Sequence, residues 1–301
     1  MSGRTIASDP RAGGDSFVMN RSPSQGVSTV EGSVDAKQAS LKARLLDFWN
    51  AQEQDRDSGI DEAAASLTSR GQLASFIPEG SKILDVACGT TANLKWFASR
   101  GDYFGTDVSI GFLRLGYKPE RRLTCADAEA LPFRDGCFEA ATLTFALEHT
   151  VDPVGVLREM CRVVGQKGRV MLLGPTWDLP FWYPNALASK SKKIGWRIRY
   201  TFRRLAGQLM GWMFGRLPFD TVEEPDALSH RFDFDSDVVY IVWSYEVIRQ
   251  MKRWGFRLIH SEVDDRLLGT NSAVRLLKRL LFLLPIYRLA GSTVLMVFER
   301  E

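Results

Sequence analysis

The sequence predicts an α/β fold built on a doubly wound sheet, and two observations carry that expectation. The stretch Ile83–Leu94 runs from a short apolar segment ending in Asp85 and Val86, through Ala87, Cys88, Gly89, Thr90, Thr91, Ala92 and Asn93, into a helical pattern over Leu94, Trp96, Phe97 and Ala98. Strand, tight turn and helix start, in that order, mark the place where such sheets bind nucleotide-like ligands. Small residues in the turn let the backbone approach a ligand, and the first-turn amides face it. The second observation is Tyr103–Val108, another short strand ending in an acid, Asp107. Its distance from the first strand is about that at which these sheets hydrogen-bond a ribose.

Two nucleotide cofactors fit this pattern, NAD and S-adenosylmethionine. Dinucleotide-binding turns want G-x-G-x-x-G, whereas here Ala87, Gly89 and Ala92 stand at those positions and supply one true glycine. S-adenosylmethionine carries no pyrophosphate, so fewer glycines suffice. An acid beside the turn, Asp85, suits its amino group and would repel a pyrophosphate. The chemistry favours S-adenosylmethionine.

Four segments in order then carry a resemblance. Leu84-Asp85-Val86-Ala87-Cys88-Gly89-Thr90, Gly105-Thr106-Asp107-Val108-Ser109, Ala126-Asp127-Ala128-Glu129-Ala130-Leu131-Pro132-Phe133 and Ala146-Leu147-Glu148-His149-Thr150-Val151-Asp152-Pro153 resemble the ordered motifs of class I S-adenosylmethionine-dependent methyltransferases. The branch most resembled is the small-molecule and lipid one that includes ubiquinone and menaquinone methyltransferases. The resemblance covers roughly Ser81 to Thr176; Thr91, where many relatives carry glycine, departs from it. It implies a Rossmann-like sheet of seven mostly parallel strands, the last antiparallel. It also implies Asp85, Ala87, Cys88, Gly89 and Thr90 around the methionine end of the cofactor, Asp107 and Val108 at the ribose, and Asp127 and Ala128 beside the adenine. Thr144 and Phe145, at the end of the fourth strand, fall where the sulfonium should meet the acceptor.

Length and composition agree with this. A chain of 301 residues, 45% of them apolar, can build one large α/β domain with appendages. A net charge of +3 is too small to argue for nucleic acid. Cys88, Cys125, Cys137 and Cys161 are scattered without a C-x-x-C pair, which argues against a metal cluster or disulfide framework. The start of the chain lacks an apolar signal-peptide core, and no apolar run reaches transmembrane length, so a cytoplasmic protein is expected.

Residues 1–36, rich in Ser, Gly, Asp and Pro, read as a disordered tail. From Lys37 a helical pattern places Leu41, Leu45, Phe48 and Trp49 on one face, and a second runs from Asp61 towards Phe76. Residues 37–80 are expected to form a helical lid, with Trp49 and Arg70 as candidates to reach the ligand. The methyltransferase domain then spans 81–301. Leu123–Ala126 reads as the third strand, Phe138–Leu143 as the fourth, and Pro153–Val164 as an amphipathic helix. Gly165–Gly168 reads as a turn and Arg169–Gly174 as the fifth strand. Residues 175–254 form an acceptor-side insert, whose last stretch, Val238–Trp254, reads as a helix before the sixth strand. Ser292–Phe298 reads as the seventh.

Within the insert, Lys190–Leu217 carries eight basic residues and no acid. Ile194, Ile198, Phe202, Leu205, Leu209 and Trp212 recur there at helical spacing. The pattern suits a helix docked by its apolar face with arginines turned to solvent, or one lying on an anionic membrane surface. Residues 275–288 repeat the basic and apolar theme, so membrane association through 190–217 and 275–288 is a second expectation.

The end of the fourth strand narrows the chemistry. Thr144-Phe145-Ala146-Leu147 lacks the Asn/Asp-Pro-Pro-aromatic loop that commonly goes with methylation of ring amines, and no Pro-Cys nucleophile is present. Both absences argue against nucleic-acid bases as acceptors. His149 is the candidate general base, within reach of the methyl group in the expected fold; His230 in the insert is its rival. The expected function is methyl transfer from S-adenosylmethionine to an oxygen of a small apolar, lipid-linked or glycan-linked acceptor. The alternatives are a cofactor-binding but catalytically silent partner protein and a nicotinamide-dependent oxidoreductase.

Overall fold

The computed structural model describes residues 28–51, 67–116, 118, 122–178, 182–215, 217, 219–228, 236–264 and 293–301. The described residues begin with helix α1 (Ser28–Ala51), which corrects the expectation of a disordered tail for 28–36. Helix α2 (Leu67–Ser75) precedes β1 (Ser81–Val86), where the chain enters the sheet. A single helical turn, α3 (Leu94–Phe97), leads to β2 (Gly101–Asp107), α4 (Ile110–Gly116), β3 (Arg122–Cys125) and β4 (Phe138–Thr144). Next come α5 (Pro153–Val163), β5 (Val164–Pro175), α6 (Ala188–Ser191), α7 (Ile194–Phe214) and α8 (Ser244–Arg253). Strands β6 (Phe256–Asp264) and β7 (Thr293–Arg300) complete the described elements.

The seven strands form one sheet in the order β3-β2-β1-β4-β5-β7-β6. Pairs from β3 through β5 are parallel, and β7 runs antiparallel to both β5 and β6. The chain leaves β1 towards β2 and β3, then returns to the other side of β1 with β4. The crevice outside the carboxyl ends of β1 and β4 is therefore the switch point at which such sheets bind ligands.

Both faces of the sheet are covered, as the near-continuous apolar strands require. Side chains alternate along each strand. Leu84, Val86, Leu143, Val170, Leu172, Met296 and Phe298 pack on one face with α5 and the 238–243 segment. Ile83, Tyr103, Met171, Leu173, Leu295 and Val297 pack on the other with Leu73 of α2 and Phe97 of α3. Helix α5 begins as its sequence dictates: Asp152 accepts the Gly155 amide at 2.9 Å, and proline occupies the first helical position.

Two local expectations are corrected. Gly165–Gly168 is not a separate turn, because β5 starts at Val164 where α5 ends. The pairing slips between Phe138 and Ala140, so that Val164 and Arg169 are their partners. The extra residues are taken up in a bulge where Lys167 adopts φ 58°. The helix expected over Val238–Trp254 begins only at Ser244. Val238–Trp243 instead forms a fully buried extended segment, with Tyr240 bridging Thr221 and Val242 accepting from the Trp177 amide at 2.9 Å. An unbroken run of β-branched and aromatic residues favours that conformation over a helix.

Gly101 starts β2 opposite Ser81 of β1. A Cβ there would strike the Ser81 carbonyl oxygen and come within 2.7 Å of its nitrogen. Gly101→Ala should therefore force the two strands apart and cost about 2 kcal/mol. In urea unfolding this appears as a lower midpoint with an unchanged slope; an unmoved midpoint would mean the strands spread freely.

Candidate active site

The loop after β1 reaches its shape through unusual backbone. Ala87 and Gly89 both have φ 53°, and Thr91 has φ 68°. Only glycine takes this left-handed region without penalty, so Ala87 and the β-branched Thr91 are held there against about 1–2 kcal/mol each. Hydrogen bonds do the holding: Cys88 N–H donates to Thr106 O and Thr91 N–H to Cys88 O, each at 2.8 Å. Phe145, just past β4, is a third non-glycine residue at positive φ, 50°. Ala87, Gly89 and Phe145 all line one cavity of about 500 Å³ at the carboxyl ends of β1, β2 and β4. Strain gathered around a cleft is a common mark of a functional site.

Asp107 closes β2 at the floor of this cavity. One carboxylate oxygen accepts the Gly89 amide at 2.9 Å and the other accepts the Ser109 amide at 2.8 Å. Val108 lines the cavity next to it.

Asp85 lies beneath the loop and does not line the cavity. It is fully buried, and its carboxylate accepts from Tyr103 Oη at 2.8 Å, Thr142 Oγ1 at 2.9 Å and Asn93 Nδ2 at 3.1 Å. Thr142 is its direct partner on β4, and Tyr103 stands diagonally across on β2. Asn93 also donates to Thr144 Oγ1 at 2.7 Å, so Thr144 belongs to this buried web. Cys88 is likewise buried, its sulfur packed against the space above Gly105, and burial pushes its thiol far above the usual range. Cys88 and Thr90 both lie outside the cavity lining.

Burial raises the Asp85 carboxyl from 3.8 to about 6, against the opposing pull of its three donors. The folded state therefore holds a proton that the unfolded chain has released between about pH 4 and 6. Stability from this group is present at low pH and lost as pH rises through that window, by about 3 kcal/mol. The unfolding free energy of wild type relative to Asp85→Asn should fall by that amount from pH 4 to 6.5 and then level. A flat difference would show Asp85 ionised throughout.

On the adenine-side stretch, Asp127 and Ala128 line the cavity as a pair. Asp127 is in an ion pair with Lys42 of α1, which also reaches Glu129. Burial would lower the Lys42 ammonium, but its bonds to the two carboxylates hold it above the ordinary lysine value. The lysine thereby ties α1 to the loop after β3. Asn50 of the same helix accepts from Ser109 Oγ at 2.9 Å.

His149 lines the opposite wall. Its Nδ1 is 3.3 Å from Asp237 Oδ2 and 3.3 Å from the Asp237 carbonyl oxygen, and its Nε2 is 3.7 Å from Glu148 Oε1. Asp237 also accepts from Trp49 Nε1 at 3.2 Å, and the indole meets the imidazole edge-on at 6.4 Å. The turn that carries His149 is fixed in turn: the Glu148 carbonyl accepts the Val239 and Tyr240 amides, both at 2.8 Å. Carboxylate oxygens thus face both ring nitrogens of His149.

The structure thus brings Ala87, Gly89, Asp107, Val108, Asp127, Ala128, Phe145 and His149 to one cavity. Asp85, Cys88 and Thr144 are buried away from its lining, Thr90 is half-buried outside it, and His230 lies outside the described residues. Of the two lid candidates, Trp49 lines the cavity, while Arg70 lies over the Phe145 ring at 5.6 Å. Sequence reasoning missed Lys42 and Asp237. Lys42 stands three residues before Leu45 on a face already read as helical, a signal available in principle; Asp237 gave none.

Residues 84–172 match the family described as a methyltransferase domain. Curated proteins similar over this region include the demethylmenaquinone methyltransferases of Streptomyces avermitilis, 42% identical over 102 residues, and Paenarthrobacter aurescens, 38% identical over 96. Those matches cover 32% and 31% of this chain and 44% and 38% of the relatives. The chain therefore spans less than half the length of the curated relatives it matches. Among solved structures, a 1,6-didemethyltoxoflavin N1-methyltransferase of Burkholderia thailandensis, with bound 1,6-didemethyltoxoflavin and S-adenosylhomocysteine, aligns with a TM-score of 0.51 at 13% identity. That alignment covers 86% of this chain and 88% of the other, and at this identity it shows the fold alone.

Proposed function

We propose that this chain, whose residues 84–172 match a methyltransferase domain, is a class I S-adenosylmethionine-dependent enzyme that methylates an oxygen of a small apolar acceptor, with His149 as the base. When bound, the cofactor supplies an electrophilic methyl group on a sulfonium. Every other part of the reaction falls to side chains and backbone of this chain.

The residues present fit that cofactor. Asp107 brings a carboxylate to the cavity at the end of β2, the group and place that suit ribose hydroxyls in such sheets. The position a Cβ would take at Gly89 is open, which leaves the loop backbone approachable. Asp127 and Ala128 can receive the adenine edge, with Leu46, Phe112 and Val151 supplying apolar wall. Asp85 sits below this surface and holds the turn in place through Asn93.

The His149–Asp237 pair carries the catalytic part of this reading. Asp237 orients the ring, Nε2 takes the proton from an acceptor hydroxyl, and Glu148 faces that proton at 3.7 Å once it has moved. A hydroxyl so deprotonated would be the nucleophile towards the methyl group that a bound cofactor would supply, leaving S-adenosylhomocysteine, with positioning by the cavity walls supplying much of the rate. The relatives named demethylmenaquinone methyltransferases support an acceptor of the quinone or quinol class.

The test is transfer of a radiolabelled methyl group from S-adenosylmethionine to hydroxylated naphthoquinones and their quinols, read in an organic extract. Label on an oxygen is expected. Label on a ring carbon overturns the assigned atom, and S-adenosylhomocysteine binding without transfer to any acceptor favours a catalytically silent protein.

A further inference from the structure

Helix α7 is turned inside out for a surface helix. Its packed side carries Tyr200, Thr201, Gln208 and Gly211, with Arg197 and Arg204 half-buried beside them. Tyr200 donates to Asp220 at 3.0 Å, and Tyr183 donates to the Arg197 carbonyl at 3.0 Å. Of the two alternatives read from the sequence, docking of Ile194, Ile198, Phe202 and Leu209 against the protein is therefore corrected; among the described side chains of that stripe only Leu205 is half-buried. Tyr200 and Thr201 find side-chain partners below in Asp220 and Tyr183. Among the described residues, Arg197 Nε, Arg204 Nη2 and Gln208 Oε1 are buried without a hydrogen-bond partner, and the apolar stripe faces out.

Ile198, Phe202, Leu209 and Met213 follow one another along that outer face at helical spacing, with Phe202 67% and Leu209 54% exposed. Isolated apolar side chains on a surface are ordinary, but a stripe along a 21-residue helix is not. Exposed Arg199 and Arg203 border the stripe on one side, Arg203 also pairing with Asp220 at 2.9 Å, and exposed Lys190, Lys192 and Lys193 precede the helix. No acidic residue stands between Lys190 and Leu217.

We propose that this face of α7 docks on an anionic lipid bilayer, its apolar stripe entering the headgroup boundary and its basic residues meeting lipid phosphates. Among the described residues no helix is long and apolar enough to cross a membrane, so α7 lies along the surface. Charge selects this occupant over a second copy of the chain, because two such faces would set cations against cations. The same objection applies to cover by residues 275–288, which lie outside the described residues and carry Arg275, Lys278, Arg279 and Arg288 without an acid. The inference does not rest on methyl transfer.

The experiment is flotation of the full chain with vesicles of phosphatidylglycerol and phosphatidylcholine, and with phosphatidylcholine alone. Wild type is compared with the exposed-face variant Phe202→Ser/Leu209→Ser. Wild type should float with anionic vesicles at least tenfold more than with neutral ones, and 0.5 M salt should reduce this. The variant should stay at the bottom while its S-adenosylhomocysteine affinity is unchanged, which keeps this result separate from the reading of the active site. Wild type that floats with neither vesicle, or a variant that floats like wild type, overturns the proposal. So does a wild-type dimer in light scattering that the two substitutions dissociate.

Discussion

His149→Gln is expected to lower kcat by a factor of about 10² to 10⁴ and to leave S-adenosylhomocysteine affinity within about twofold. Glutamine fills similar space at the cavity wall and can still meet the Asp237 carbonyl, but it takes no proton at neutral pH. Asp237→Asn tests the orienting role: it keeps an acceptor near Nδ1, which is 3.3 Å from the carboxylate, but removes the charge. A loss of about tenfold to a hundredfold, mainly in kcat, is expected there. Full activity in His149→Gln would leave proximity and alignment as the whole of the catalysis.

The sheet was legible in the sequence because its strands are continuous apolar runs closed by acids and small residues. The two acids that end β1 and β2 could be named as site candidates, yet their surroundings differ sharply. Alternation along β1 puts Asp85 on the same face as Ile83, where Tyr103 and Thr142 converge on it from either side. Which face a strand-end acid uses depends on neighbouring strands, and those are set by register rather than by local sequence. His149 was legible as a residue type at a strand end. Its partner Asp237 lies 88 residues later and arrives only through the buried 238–243 segment pairing with Glu148. Lys42 reaches Glu129 across 87 residues in the same way. For α7 the helical period was plain, but a period does not say which side of a helix is packed; the buried Tyr200, Thr201 and Gln208 decided that.

Asp107→Ala should weaken S-adenosylhomocysteine binding about a hundredfold, roughly 3 kcal/mol, by calorimetry. Two losses combine in that figure. The substitution removes the acceptor offered to the ribose, and it orphans the Gly89 and Ser109 amides that now end on the carboxylate at 2.9 and 2.8 Å. Gly89 sits at positive φ in the loop beneath the ligand, so releasing its amide also loosens the surface the cofactor would touch. Asp85→Asn supplies the contrast. It perturbs a carboxylate of the same type at the end of the adjacent strand, but one walled off by Tyr103, Thr142 and Asn93. Its effect should appear in unfolding free energy and only weakly in affinity. If Asp107→Ala stays folded and binds as tightly as wild type, the cofactor does not lie over β2, and the site assignment fails with it. If Asp85→Asn instead loses affinity as strongly as Asp107→Ala, the buried web beneath the loop sets the loop's shape, and the two acids act as one unit.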